Sequence, residues 1–332
     1  MATGIVSTAA GLFRLRDFSL VLLAAATVGY LVLIGLYALR FVTAAAAVRE
    51  DARSPGRAFG FFTFVAASNV LSARYAAAGD LRIAAGLALV GAVSWVVLTY
   101  TIPVGLMLGS SDRPLGTSVN ASWLIWVVAT QSVSTAASVL SSAGLDRALL
   151  GFLAAVFWGI GSLLYLILIT IVTARMLLAA MPATEMTPPY WINMGATAIT
   201  VLAGVRLLAT HLPGRLHELA PVVTGISFMF WAFGSFWIPA VVLFGVWRYG
   251  RGGHPVVYEP ALWSIVFPMG MYVTATDLLG HVARLPWLPP LAGGASWGAY
   301  AAWVAVFLFM LYDLLDRRGP TAAPAASPGQ DL

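Results

Sequence analysis

The sequence has no cysteine and no lysine, and all 18 of its basic residues are arginine. Charged residues make up only 9% of the chain, whereas about a quarter is usual in soluble domains. Without cysteine there are no disulfides, thiolate metal ligands or iron–sulfur clusters. The net charge of +5 is spread over the chain without a basic run, so the composition does not indicate a nucleic-acid partner.

What the sequence has in abundance is apolar surface. Hydrophobic residues make up 60% of it and the mean hydropathy is +0.89, which predicts an integral membrane protein of the all-α class. A bilayer needs roughly 20 apolar residues per helix, so the chain has room for about ten transmembrane helices. We expect one transmembrane domain over residues 1–318 and a disordered tail over 319–332, where no apolar period remains.

The predicted transmembrane helices follow the apolar segments of the sequence. They are Ala2–Phe13, Ser19–Ala45, Phe59–Ala78, Arg82–Leu108, Ala121–Ala143, Ala148–Ala180, Tyr190–Thr210, Val222–Arg248, Ala261–Gly280 and Ser296–Asp313.

These segments alternate in polarity along the chain. The odd-numbered helices carry most of the Ser, Thr, Asn and Gln, and those after the first begin near residues 59, 121, 190 and 261. This recurrence predicts helical hairpins. Uncharged polar side chains within a bilayer need a neighbouring helix or water, so we expect the odd helices to be the inner ones.

Ionisable residues are missing from the centres of all these segments. Arg74, Arg206 and Asp277 fall in the last turns of their helices. Proton-coupled carriers usually keep an ionisable residue within the membrane, so the sequence favours a passive path. A carrier of a protonated or singly charged substrate stays open as an alternative.

The sequence offers no enzyme site that we recognise. The four histidines lie in loops or at helix ends, without a metal-binding spacing, and the serines of the fifth helix have no buried histidine or aspartate beside them. We therefore expect no catalytic residues, no cofactor and no functional metal.

Arginine counts give a weak orientation. The side that holds the even-to-odd connections and the C-terminus has ten arginines, against eight on the other. We expect the protein in the plasma membrane, and the positive-inside rule then predicts that both termini are cytoplasmic.

Five strings of the sequence resemble those of a known family, one in each odd helix. They are MATGIVSTAA from residue 1, GFFTFVAASNVL from 60, WLIWVVATQSVS from 123, PPYWINMGATAI from 188 and LWSIVFPMGMY from 262. The family is that of the tellurite-resistance and C4-dicarboxylate transporters, which includes sulfite efflux pumps and, more distantly, the slow anion channels of plant guard cells.

The resemblance implies five hairpins in quasi-fivefold arrangement, with the odd helices around a central pore. It also implies a homotrimer with one pore per subunit, and closure of each pore by the phenylalanine of the ninth helix, here Phe267, followed by Pro268. The proline removes a backbone hydrogen bond and kinks a helix, and a ring across a narrow pore blocks ions by dewetting. Ordinary packing is the alternative role of Phe267.

We expect small polar residues of the odd helices to line the pore and donate hydrogen bonds to an anion. On helix nine, Gly270 and Thr274 share the face of Phe267 by the three- and four-residue spacing, so we add them. The predicted lining residues are Ser7, Asn69, Thr130, Gln131, Ser134, Asn193, Thr197, Gly270 and Thr274.

The sequence therefore predicts a passive channel for small anions, gated by Phe267. The alternatives are a proton-coupled carrier or exporter of a C4-dicarboxylate, sulfite or tellurite-type oxyanion, and a membrane subunit that transports nothing. Relatives usually have more residues before the ATGIVS block, and a helix of twelve residues rises only about 18 Å. We accordingly expect a first helix that is truncated, or a start codon that lies upstream.

Overall fold

The computed structural model describes residues 1–109, 119–179, 181–210, 212, 214–251 and 255–316. Regular structure in these residues is entirely helical, and the predicted tail lies outside them. The α-helices are α1 (Ala2–Leu12), α2 (Arg16–Thr43), α3 (Ala45–Arg53), α4 (Phe62–Ala77), α5 (Leu81–Leu108), α6 (Ile125–Ser142), α7 (Arg147–Leu178), α8 (Ile192–Leu208), α9 (Ala220–Val246), α10 (Trp263–Val282) and α11 (Leu288–Asp316).

Ten of these helices form five hairpins. We call α1, α4, α6, α8 and α10 the inner helices, and α2, α5, α7, α9 and α11 the outer helices; each inner helix packs against the outer helix that follows it. The inner helices also pack side by side in chain order, and α10 packs against α1. These contacts close a ring of five inner helices. The quasi-fivefold symmetry of that ring stays a prediction.

The burial pattern agrees with the predicted inner and outer roles. α6 and α8 are buried along almost their whole length, whereas α2, α5, α9 and α11 bury few of their residues and expose many of their apolar side chains. Such exposure suits helices that face lipid rather than water.

Eight helical segments of the described chain are long and apolar enough to cross a membrane. The other two of the ten paired helices are shorter than this measure requires. They are α1, which has only 11 residues, and α4, which has 16 and includes Asn69 and Arg74.

Aromatic side chains connect each outer helix to the inner helix of the next hairpin. Nε1 of Trp95 donates to the hydroxyl of Thr130 at 2.8 Å, and Nε1 of Trp231 donates to that of Thr276 at 2.9 Å. The other three junctions have equivalent bonds, which are Tyr30 to Ser68, Trp158 to the carbonyl of Thr200, and Trp303 to Thr3. The five hairpins are thus joined in the same way all round the ring.

A short 3₁₀ turn precedes four of the inner helices. Before three of these, an ion pair connects the end of the preceding outer helix to the segment that follows it. In each, an arginine is paired with a carboxylate ten or eleven residues later. The pairs are Arg40 with Asp51, Arg175 with Glu185, and Arg248 with Glu259.

The structure also differs from the prediction in two connections. α3, a short charged helix that follows α2 after one residue, was not predicted from the apolar pattern. The last helix was predicted to begin at Ser296, whereas α11 begins at Leu288. Pro289 and Pro290 caused the second error, because prolines are tolerated in the first turn of a helix, where the N–H groups have no partner.

Candidate functional site

A cavity of about 310 Å³ lies inside the ring, near the C-terminal ends of the inner helices. All five inner helices contribute to its wall: Ile5 comes from α1, Asn69 from α4, Thr135 from α6, Ile199 from α8 and Met271 from α10. A cavity shared by every member of the ring is where a path through the molecule would run.

Two arginines line this cavity, Arg74 of α4 and Arg206 of α8. None of the described residues in its wall is acidic. Within the described residues of the five inner helices the only carboxylate is Asp277, whose nearest ionic partner is Nε2 of His281 at 3.7 Å. The charged side chains of the described cavity wall are therefore all basic, which favours anions over cations.

Serine hydroxyls hold Arg74 in place. Its Nε donates to Oγ of Ser7 at 3.0 Å and its Nη2 donates to Oγ of Ser19 at 2.7 Å. Each of these hydroxyls donates in turn to the backbone carbonyl of the other residue, at 2.7 Å in both cases. Ser7 was predicted to line the pore; the structure places it instead between α1, α2 and the guanidinium of Arg74.

Arg206 has no such support. Its side chain is half-buried in the wall of the cavity, and its guanidinium makes no hydrogen bond or ion pair with any residue that the structure describes. Removing a cation from water costs free energy unless an opposite charge compensates it. An anion in the cavity would supply that charge.

Of the predicted lining residues, Asn69 is the one in the wall of this cavity. Its Nδ2 donates to Oγ of Ser132 on α6 at 3.0 Å, and its amide fills the space in front of Gly91 on α5. A Cβ added to Gly91 would lie 2.5 Å from Oδ1 of Asn69.

The predicted residues of α6 contact outer helices. The hydroxyl of Thr130 accepts from Trp95 of α5, while Nε2 of Gln131 donates to the carbonyl of Trp158 on α7 at 3.2 Å. Oγ of Ser134 donates to the carbonyl of Ala154, also on α7, at 2.7 Å. These three residues hold the ring to its outer layer.

The predicted residues of α8 behave in the same way. Oδ1 of Asn193 accepts from the hydroxyl of Tyr165 on α7 at 2.7 Å. Thr197 donates to the carbonyl of Met194 at 2.7 Å and its hydroxyl fills the space in front of Gly234 on α9.

The hydroxyl hydrogens of these residues are therefore already used inside the protein. Thr274 on α10 also donates to the carbonyl of Gly270, at 2.8 Å, and Gly270 lies against Ile5 and Val6 of α1. In this structure backbone carbonyls accept the hydrogens of these hydroxyls, and donation to an anion stays a prediction.

Phe267 lies next to the cavity along α10. Met271 lines the cavity, and residues four apart share one face of a helix, so Phe267 lies one turn closer to the N-terminal ends of the inner helices. Its side chain is only 1% exposed and belongs to the central apolar cluster. Pro268 packs against Gly195 of α8, where an added Cβ would lie 2.9 Å from Cγ of the proline.

The fold is that of a multi-pass membrane protein with a ring of inner helices around a basic cavity. A family model described as voltage-dependent anion channel matches residues 1–311, and the chain belongs to this family. The match confirms the resemblance found in the sequence. Members of this family are channels and transporters rather than enzymes.

Three curated relatives indicate the breadth of the family. An uncharacterized membrane protein of Mycobacterium tuberculosis (strain ATCC 25618 / H37Rv) is 40% identical over 151 residues, which are 46% of this chain and 77% of the relative. An uncharacterized transporter of Methanocaldococcus jannaschii is 24% identical over 151 residues, 46% of this chain and 43% of its own length. A sulfite efflux pump of Arthroderma benhamiae is 25% identical over 247 residues, 70% of this chain and 63% of the pump.

Sequence reasoning noted Arg74 and Arg206 but treated them as helix ends. Their shared position could have indicated that both face the same cavity, since both lie three or fewer residues from the end of an inner helix. Inner helices that run in the same direction bring their last turns to one level of the ring.

Proposed function

We propose that the protein conducts small anions passively through the ring of inner helices, and that Phe267 closes the path. The observation that carries this proposal is the cavity itself: all five inner helices line it, two arginines face it, and it ends one helical turn from Phe267. Family membership supports transport of an anion. A phenylalanine ring excludes water from a narrow path and so raises the barrier to an ion.

The test is voltage-driven anion flux in proteoliposomes, with chloride, nitrate, sulfite and malate as substrates. We expect Phe267→Ala to increase flux at least about tenfold, because removal of a hydrophobic constriction lets water and ions enter. Phe41→Ala is the matched control, since Phe41 is exposed on the lipid-facing helix α2. Unchanged or lower flux in correctly folded Phe267→Ala protein would assign the ring to packing.

Folding of the variant needs its own check. Truncation of a buried phenylalanine costs about 3–5 kcal/mol of stability. Phe267→Leu retains more volume and should give an intermediate flux if the size of the side chain sets the barrier. Size-exclusion chromatography in detergent separates folded variants from aggregates before reconstitution.

A coupled carrier is the second candidate, and one observation favours it. Asp277 is a buried carboxylate on an inner helix, with His281 as its ionic partner, and such groups serve as proton relays. One relative is named a sulfite efflux pump. Flux that requires a pH gradient, and is lost in Asp277→Asn while Phe267→Ala has no effect, would establish a carrier of sulfite, a C4-dicarboxylate or another oxyanion.

The resemblance further supports a homotrimer with one path per subunit in the plasma membrane. Mass measurement of the detergent-solubilised protein, corrected for bound detergent, gives the number of subunits. A monomer or dimer would contradict this part of the proposal.

A further inference from the structure

The wall of the cavity has few groups that can donate a hydrogen bond to an anion. Its hydroxyls give their hydrogens to backbone carbonyls: Thr8 to Gly4 at 3.1 Å, Ser132 to Ala129 at 2.7 Å and Thr135 to Gln131 at 2.9 Å. Ser142 donates to the carbonyl of Ala209 at 3.3 Å. These hydroxyls present oxygen atoms to the cavity, and oxygen does not attract anions.

Donors are therefore concentrated on the two arginines, and the two differ. Arg74 has already given Nε and Nη2 to Ser7 and Ser19. The guanidinium of Arg206 has no hydrogen-bond or ionic partner among the described residues. It lines a cavity whose wall also includes residues of the other four inner helices. Arg206 is the stronger candidate for direct contact with a permeating anion.

A guanidinium distinguishes anions by shape. Its parallel N–H groups match two oxygens of a carboxylate or an inorganic oxyanion in a bidentate pair. A halide has one centre and gains only the electrostatic attraction, which a lysine ammonium would supply equally well. An unengaged arginine in an anion path therefore favours oxyanions beyond the effect of its charge.

We infer that Arg206 is the specificity-determining residue of the path, and that it binds an oxyanion in a bidentate pair inside the cavity. The ligands of this class include nitrate, sulfite and carboxylates, which Arg206 favours over halides. This inference rests on the proposed function and adds its substrate class. Arg74 acts as a fixed positive charge that attracts anions of either kind.

The experiment compares nitrate with bromide, which are both monovalent and similar in size and hydration. Reversal potentials across planar bilayers give the nitrate-to-bromide permeability ratio of Phe267→Ala protein and of the same protein carrying Arg206→Lys. We expect the lysine variant to conduct both anions but to lose about tenfold in this ratio, as the loss of a charge-assisted hydrogen bond would give.

Two further arginines provide controls. Arg74→Lys should keep the ratio near that of the parent, because the Nε and Nη2 donors of Arg74 are held by Ser7 and Ser19. Arg215→Lys, in the exposed connection between α8 and α9, should change neither ratio nor current. A ratio that is the same in Arg206→Lys and in the parent would overturn the inference while leaving anion conduction intact.

A second measurement does not depend on conduction. Thermal unfolding of the purified full chain should show greater stabilisation by nitrate than by bromide, and Arg206→Gln should abolish the difference. Equal stabilisation by both anions in the parent would contradict oxyanion binding. Absence of voltage-driven current with either anion would instead count against the proposed function.

Discussion

At the scale of single residues, polar side chains of inner helices fit against glycines of outer helices. Asn69 faces Gly91, and Thr197 faces Gly234. Gln131 faces Gly161, where an added Cβ would lie 2.6 Å from Nε2 and 2.9 Å from Cγ of the glutamine. Each glycine therefore serves as a notch that lets a buried amide or hydroxyl lie between two helices.

Gly161→Ala should destabilise the protein by about 1–3 kcal/mol, the usual cost of overpacking a well-filled interior. Gln131 cannot retreat easily, because its amide donates to the carbonyl of Trp158. Thermal unfolding in detergent measures the effect. Gly159→Ala is the control two residues away, where a Cβ meets nothing within 4 Å; it should be neutral or slightly stabilising. Equal melting temperatures for the two variants would contradict the notch.

Single residues of α6 and α8 also show what could and could not be predicted from the sequence. That Thr130 and Gln131 belong to an inner helix could be predicted, because polar side chains in hydrocarbon need protein around them. The side of the helix that they occupy could not be predicted, because a polar side chain can find hydrogen-bond partners either on an outer helix or in the cavity. Arg206 was interpreted as a helix end, because that position is ordinary for a charge, and only the closed ring makes that end part of a cavity wall.

At the scale of helices, the bonds from aromatic rings fix the order of the hairpins. They run from an outer helix to the inner helix of the following hairpin, and Trp231 with Thr276 is one example. Apart from the start of α11, which was predicted eight residues too late, the bounds of the ten paired helices were predictable within a few residues from apolar length alone. These pairings were not, because a tryptophan in a lipid-facing helix is equally suited to the membrane interface.

Trp231→Phe should reduce stability by about 0.5–1 kcal/mol, typical of an interhelical hydrogen bond within a membrane. A double-mutant cycle with Thr276→Val isolates the pair, and the two effects should not add. Trp287→Phe is the control, since Trp287 lies largely exposed at the start of the last hairpin's outer helix. Full additivity in the cycle would show that the bond contributes nothing.

At the scale of the whole molecule, the ring gives the chain two distinct ends. The cavity and its arginines lie at the C-terminal ends of the inner helices, and the arginine–carboxylate pairs lie at their N-terminal ends. The positive-inside rule predicts that the second end is cytoplasmic. Anions would then enter or leave the cavity on the outer side.

The lack of cysteine makes this orientation easy to test. Arg57→Cys and Arg215→Cys each introduce a single thiol in an exposed connection, at opposite ends of the ring. We expect a membrane-impermeant maleimide, applied to intact cells, to label Arg215→Cys and to leave Arg57→Cys unlabelled until the cells are opened. The reverse pattern would invert the topology and place the cavity towards the cytoplasm.

The glycine notches also limit how the molecule can move. A helix that slid along its partner by one turn, about 5.4 Å, would push Asn69, Gln131 and Thr197 out of their notches and against neighbouring side chains. These contacts thus oppose the sliding of an inner helix along the outer helix of its hairpin. Rotation of a side chain leaves these contacts intact, so we expect opening to be a local movement of the Phe267 side chain rather than a sliding of helices within a hairpin.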